Sequence, residues 1–284
     1  MLSSGLPVHQ KLLVSKYTAI IQLIYGQLNR IVSIYARAVE NKCIEKKDIP
    51  LSKGKSDIKI SYISAIALQL SKSHNSQPFS IANSIVSHLS ADLGEDLHLQ
   101  VLPSGLIYIE VSDLILAAWL QSFIDNQRGE IISTNHFSEA IASDFGDLVF
   151  SIQYVHARCC SLLRLAQQEK LIDSRKFSSQ SIPWLNSKGQ FRLNHQAERR
   201  LISSLVKVVD ELEPVITRPL KWQGAAFNLV QAFESFWSSC RIYGDLKITT
   251  PELVMARIGL VITTQRILQF LLEEKLDVPA CLEL

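Results

Sequence analysis

Long apolar runs are missing from this 284-residue chain, and no stretch approaches the roughly 20 consecutive apolar residues that span a bilayer. The opening MLSSGLPVHQKLLVSK also lacks the charged start and long apolar core of a secretory leader, so a cytoplasmic protein with no membrane span is expected. Charge of one sign is equally scarce. The 29 Lys and Arg against 27 Asp and Glu leave a net charge of +2, which excludes attraction to nucleic acid or membrane by bulk charge; any such partner needs a local patch. Five cysteines, at 43, 159, 160, 240 and 281, are odd in number and show no CxxC spacing. That argues against a disulfide framework or a zinc ribbon and fits a reducing compartment. Glycine-rich phosphate loops, GxSxG and HExxH are absent, and SKGKS at 52–56 lacks the preceding glycine and strand of a nucleotide-binding lysine loop. With no catalytic motif, a protein that is not an enzyme and needs no cofactor is expected.

What is present is enough apolar residue, 47% of the chain, for at least one substantial core and up to two domains. Apolar residues between Lys11 and Val39 recur at spacings of three and four, which predicts a long amphipathic helix. The polar NKCIEKKDIPLSKGKSD then interrupts, and Tyr62–Lys72 and Phe79–Leu89 read as two further helices. After Gly94 the period changes. LHLQVL and LIYIEV flank Pro103-Ser104-Gly105 as the arms of a β-hairpin, and Asp113 is expected to cap an apolar helix, LILAAWLQSFI. The polar run Asp125–Glu130 suits a boundary, and beyond Phe150 the pattern is helical over 151–170, 195–213, 222–240 and 251–275. A loop occupies 173–194, and Thr250-Pro251-Glu252 reads as a capped helix start. The expected fold is an α+β amino-terminal domain over 1–124, a linker over 125–146, and an all-α helical bundle over 147–284.

Charge separates the two parts: residues 1–149 carry 12 basic and 14 acidic side chains, and 150–284 carry 17 and 13. Between 150 and 210 the excess sharpens to 10 basic against four acidic residues, a pattern open to two explanations, a phosphate-facing patch or a solvated surface. One segment inside it, SIQYVHARCCSLLR at 151–164, gathers chemically capable side chains. At about 100° per residue, Ile152, Val155, Cys159, Leu162 and Ala166 form an apolar stripe. Cys159 is therefore a core residue and does not join His156 and Cys160 around one ion; no distant ligand pair completes a metal site. Gln153, His156, Cys160 and Arg164 are expected on the polar face, with Tyr154 and Arg158 at its margins. Such a face suits hydrogen bonds to bases and phosphates, but also an ordinary packed helix.

This segment resembles the first helix of the DALR anticodon-binding domain of arginyl-tRNA synthetases, where Q-Y-A-H-A-R is followed by a small residue and S-I-L-R. Gln153, Tyr154, His156, Ala157, Arg158, Ser161, Leu163 and Arg164 carry the match. AERRLISSLVKVVDEL at 197–212, FNLVQAFESFWSSCRIYG at 227–244 and ARIGLVITTQRILQFLLEEKLDVP at 256–279 are similar to later segments of the same domain, in the same order. The first part resembles the amino-terminal additional domain of these enzymes through Tyr62, Ala67, Gln69, Leu70, Lys72, Pro78, Ile81, Ala82, Ile85 and Gly105. The family places a large catalytic domain with H-I-G-H and K-M-S-K-S-like motifs between the two; here about 25 residues separate them and neither motif occurs.

The resemblance implies a non-catalytic arginyl-tRNA synthetase-like protein that binds tRNA or another structured RNA, with presentation of that RNA to a partner enzyme as one role it allows. It implies base contacts or stacking from Gln153, Tyr154, His156 and Trp237, and phosphate contacts from Arg164, Arg199 and Arg200. Arg158 stands in the same motif, where RNA contact and helix pairing are both open, as they are for Arg257; Tyr154 and Trp237 equally suit a core. In the family's G-F-I-N-F hairpin an asparagine contributes to D-loop recognition; this chain has Tyr108 there, an aromatic suited to stacking on a base. The family's terminal P-E-R-M is replaced by Pro279-Ala280-Cys281-Leu282. The reading from another class is a protein-interaction adaptor, or subunit of a larger complex, that reuses the scaffold without RNA.

Overall fold

A computed structural model describes residues 18–40, 49–74, 76–125, 146–172, 181–212 and 222–283. All but the two end residues of the expected 125–146 linker, and the start of the first helix at 11–17, lie outside the described residues.

The first helix among the described residues is α1 (Ile20–Glu40), whose Ile20, Ile24, Leu28 and Ile31 recur every three to four residues and are all buried. This stripe packs on α3 (Pro78–Leu93) and, from the helical part, on α6 (Gln196–Leu212). A four-stranded antiparallel sheet packs against α1 and α3, in the order β1-β2-β4-β3: β1 Leu51–Lys53, β2 Ser61–Ser64, β3 Leu97–Val101 and β4 Ile107–Val111. Alternation sets its faces. Leu51, Tyr62, Ile107, Ile109 and Val111 turn inward and are buried. The expected hairpin forms, with Leu97 opposite Val111 and Val101 opposite Ile107. Gly105 sits in its turn at φ +83°, and a Cβ there would stand 2.7 Å from Pro78 Cβ, so the turn seats against the start of α3 because that residue has no side chain.

Two local expectations are corrected. Tyr62–Ser64 is strand, and the helix α2 begins only at Ile66 (Ile66–His74). SYIS alternates β-favouring residues, and its ladder with β4 places Tyr62 in the core where a helix would not. The SKGKS stretch also begins in a strand, since Lys53 ends β1.

After β4, α4 (Asp113–Asp125) is capped by Ser112, whose hydroxyl accepts the Ile115 amide at 3.3 Å. The expected cap, Asp113, points elsewhere. The bundle consists of α5 (Gly146–Gln168), α6, α7 (Trp222–Ser239), the short α8 (Leu246–Thr249) and α9 (Pro251–Phe270). A π-type turn, Leu271–Lys275, continues α9. Thr250 occupies the cap position of α9, but its hydroxyl turns back to the Leu246 carbonyl and makes no cap bond. The α+β part followed by an all-helical part is the expected fold class.

By length and composition Pro251–Lys275 is apolar enough to cross a bilayer, yet most of it is buried in the protein. It is the central core helix, packed on α4, α5 and α6. Arg257 within it pairs with Glu198 (Nε to Oε1, 2.7 Å) and donates to the Arg241 carbonyl. Glu198 also reaches back with Oε2 to the His195 amide at 2.8 Å, closing a capping box at the start of α6.

The two parts are docked directly on each other through polar contacts. Asp210 of α6 accepts the Ile21 amide at the start of α1 (3.1 Å) and the Tyr62 hydroxyl (2.5 Å), and Lys53 Nζ donates to the Ser203 carbonyl (3.0 Å). Asp113 takes Arg199 of α6 (3.0 Å) and the Phe191 amide (2.9 Å). Gln121 of α4 accepts from Trp184 Nε1 and the Ile182 amide, both at 3.0 Å.

Candidate nucleic-acid interface

On α5 the apolar stripe behaves as its spacing requires: Ile152, Val155 and Cys159 are fully buried. The opposite side is not uniformly open, because the chain reverses at Asp277 (φ +52°) and runs back against α5. Gln153 Nε2 donates to the Pro279 carbonyl (3.3 Å), His156 Nδ1 lies 2.9 Å from the Cys281 carbonyl, and Arg164 Nη1 donates to the Leu282 carbonyl (3.4 Å). Arg164 Nη2 also pairs with Glu283 at 3.2 Å.

His156 and Cys160 therefore do not stand on an open polar face as expected; they are 1% and 9% exposed. His156 Nε2 faces the Gln265 amide nitrogen of α9 at 2.8 Å. A nitrogen donor there requires Nε2 to accept, so the proton sits on Nδ1 and is donated to Cys281. Burial lowers the imidazole's pKa and favours this neutral form, only partly opposed by the Cys281 carbonyl. Cys160 Sγ lies 3.9 Å from each ring nitrogen, and burial raises its thiol above the usual range, so both cysteines are neutral packing residues.

Four expected residues do converge. Tyr154, Arg158, Arg164 and Trp237 line one cleft of about 530 Å³ between α5, α7 and the returning segment, with Ser161 and Leu282 in its walls. The Arg158 guanidinium stacks over the Trp237 ring, 4.9 Å from its centroid, and donates to the Tyr154 hydroxyl at 3.2 Å. Arg158 Nε is the one buried side-chain nitrogen or oxygen among the described residues without a hydrogen-bond partner. Tyr154 is 42% exposed and stacks on Phe150, itself 61% exposed, at 6.5 Å between centroids. Phe150 was not singled out from sequence, although its place four residues before Tyr154 puts it on the same helix face.

The remaining three lie outside the cleft. Arg199 is committed to Asp113, whose carboxyl is held below the usual range: burial pushes it up, but the Arg199 and Phe191 donors outweigh that. Arg200 is exposed on α6. Tyr108 lies on the outer face of the sheet, its hydroxyl on the Glu110 carboxylate at 3.2 Å. The basic excess of 150–210 is likewise divided, with Arg164 on Glu283, Arg192 on Glu252 and Arg199 on Asp113.

Residues 152–276, which hold this helical bundle and the guanidinium stacked on an indole in its cleft, match the model of the DALR anticodon binding domain family. More particularly, the chain is similar over part of its length to arginine-tRNA ligases. It is 32% identical over 132 residues to that of Gloeobacter violaceus, covering 45% of this chain and 21% of the relative. It is 35% identical over 123 residues to that of Pelodictyon phaeoclathratiforme (43% and 20%), and 28% identical over 170 residues to that of Synechococcus sp. strain JA-3-3Ab (57% and 27%). The chain thus spans about a fifth to a quarter of the length of the curated relatives it matches. No solved structure matches it.

Proposed function

We propose that this protein binds tRNA, or an RNA with a similarly exposed loop, through the cleft between α5 and α7, and does so without catalysing aminoacylation. The observation that carries the reading is the Arg158–Trp237 stack beside Tyr154 in an open cleft. Unpaired bases have π-faces that stack on such groups irrespective of sequence, and guanidinium adds charge attraction to the backbone. The DALR match and the arginine-tRNA ligase relatives support RNA as the ligand class. A cytoplasmic location fits that ligand.

Gln153 and His156 serve this site indirectly, by holding the returning segment that forms one wall. Arg199 is left out of the interface because Asp113 already takes its guanidinium. Gel-shift titration of bulk cellular tRNA at low salt tests the proposal. A saturable shift that weakens as salt rises is expected; no shift by protein whose folding is verified by circular dichroism sinks it.

A second reading, a protein-interaction adaptor, is favoured by the internal pairing of Arg164, Arg192 and Arg199, which leaves fewer cations for phosphates. Partners retained after nuclease treatment would favour the adaptor, and loss of all retained material would favour RNA.

A further inference from the structure

The segment that walls the cleft brings an acidic side chain onto one of the cleft's two arginines. Arg164 is 42% exposed, and its Nη2 pairs at 3.2 Å with Glu283, which is 79% exposed. Beside it, Nη1 donates to the Leu282 carbonyl. Arg164 therefore presents its fork to the cleft with one tine on a carbonyl and one on a carboxylate. The carboxylate belongs to a side chain with no other bond among the described residues, whereas the backbone beneath it is tied down by His156 and Gln153.

We propose that Arg164 is a phosphate site whose resting occupant is Glu283, so that the glutamate acts as an internal, displaceable mimic of the anion that RNA brings. An ion pair this exposed is weak because water screens it and two long side chains must be ordered to form it. A phosphate carries its charge on several oxygens that fit the guanidinium fork, and it arrives held by the rest of its chain, so it competes at high effective concentration. Displacement needs only rotation of the Glu283 side chain; the wall at Pro279–Cys281 keeps its own bonds. Glu283 then disfavours weak or isolated anions while yielding to one anchored by a base in the cleft.

The inference rests on the reading that RNA enters this cleft, and the test separates the two. Dissociation constants for tRNA as a function of salt are measured for the unaltered protein, Glu283→Gln, Arg164→Gln and the double variant. In parallel, the Arg164 Nε–H resonance is followed during titration with inorganic phosphate. Glu283→Gln is expected to bind tRNA about two- to fivefold more tightly at low salt, with a steeper salt dependence, since no carboxylate has to take up a cation on release. In the Arg164→Gln background the same substitution is expected to change nothing. Inorganic phosphate is expected to shift the Arg164 resonance at lower concentration once Glu283 is neutralised. Equal tRNA affinity and equal phosphate response with and without the glutamate overturn the anion site while leaving RNA binding standing. Absence of tRNA binding in every protein overturns the cleft reading and, with it, a phosphodiester as the occupant; the phosphate titration then decides alone whether Arg164 is an anion site.

Discussion

Tyr62 on β2 donates its hydroxyl to the Asp210 carboxylate on α6 at 2.5 Å, in a contact where both residues are buried and where the α+β part meets the bundle. The same carboxylate caps α1 through the Ile21 amide, so one side chain joins sheet, first helix and bundle. Removing the phenol oxygen leaves one carboxylate oxygen buried without its donor, which costs on the order of 1–3 kcal/mol. Tyr62→Phe is therefore expected to lower unfolding stability by about that amount in urea titration, with a single transition retained.

Lys53 lies beside this pair, and burial brings its ammonium from 10.5 down to about 8, only partly offset by Asp210. A lysine whose folded pKa is depressed binds fewer protons folded than unfolded between those two values. Its penalty is thus fully present below about 8 and is relieved as pH rises toward 10.5. Urea midpoints of the unaltered protein measured against Lys53→Met are expected to converge between pH 7.5 and 9.5, the lysine protein gaining roughly 1–2 kcal/mol relative to the methionine variant.

Arg199 and Asp113 give a prediction that separates folding from binding. Their side chains are 18% and 28% exposed, so losing the guanidinium leaves a shielded carboxylate with fewer donors. Arg199→Ala is expected to destabilise by about 1–3 kcal/mol while leaving tRNA affinity within about twofold. A large loss of affinity with unchanged stability would restore Arg199 to the interface.

Gly259 of α9 faces Trp184, and a Cβ placed there would stand 2.6 Å from the end of the indole. The ring has little room to retreat because its Nε1 is bound to Gln121 of α4. Gly259→Ala is expected to cost about 1–3 kcal/mol by overpacking, despite alanine's better helix propensity, and a thermal melt reads it directly.

The bundle was legible because its helices carry apolar residues at unbroken spacings of three and four; Ile152, Val155, Cys159 and Leu162 face the core as that period requires. Tyr62 misled because SYISAIALQLSK has apolar residues at both periods, and only the ladder with β4 decides that its first residues are strand. Within the site, Tyr154, Arg158, Arg164 and Trp237 were found together because a motif resemblance pointed at each. The fate of His156 was hidden, since its cover comes from Cys281 and Gln265, more than a hundred residues away, and no local pattern encodes that return. The same holds for the pairing of Asp113 with Arg199, which turned an expected helix cap and an expected phosphate contact into an interface bond.

The stack of Arg158 on Trp237 carries the functional account, so tRNA affinity of Trp237→Ala and of Arg158→Gln tests it most directly. Loss of one base–aromatic stack costs about 1–3 kcal/mol, so each variant is expected to bind tRNA roughly 5- to 150-fold more weakly, with circular dichroism unchanged. Affinity equal to that of the unaltered protein in both variants would contradict the assignment of this cleft to RNA.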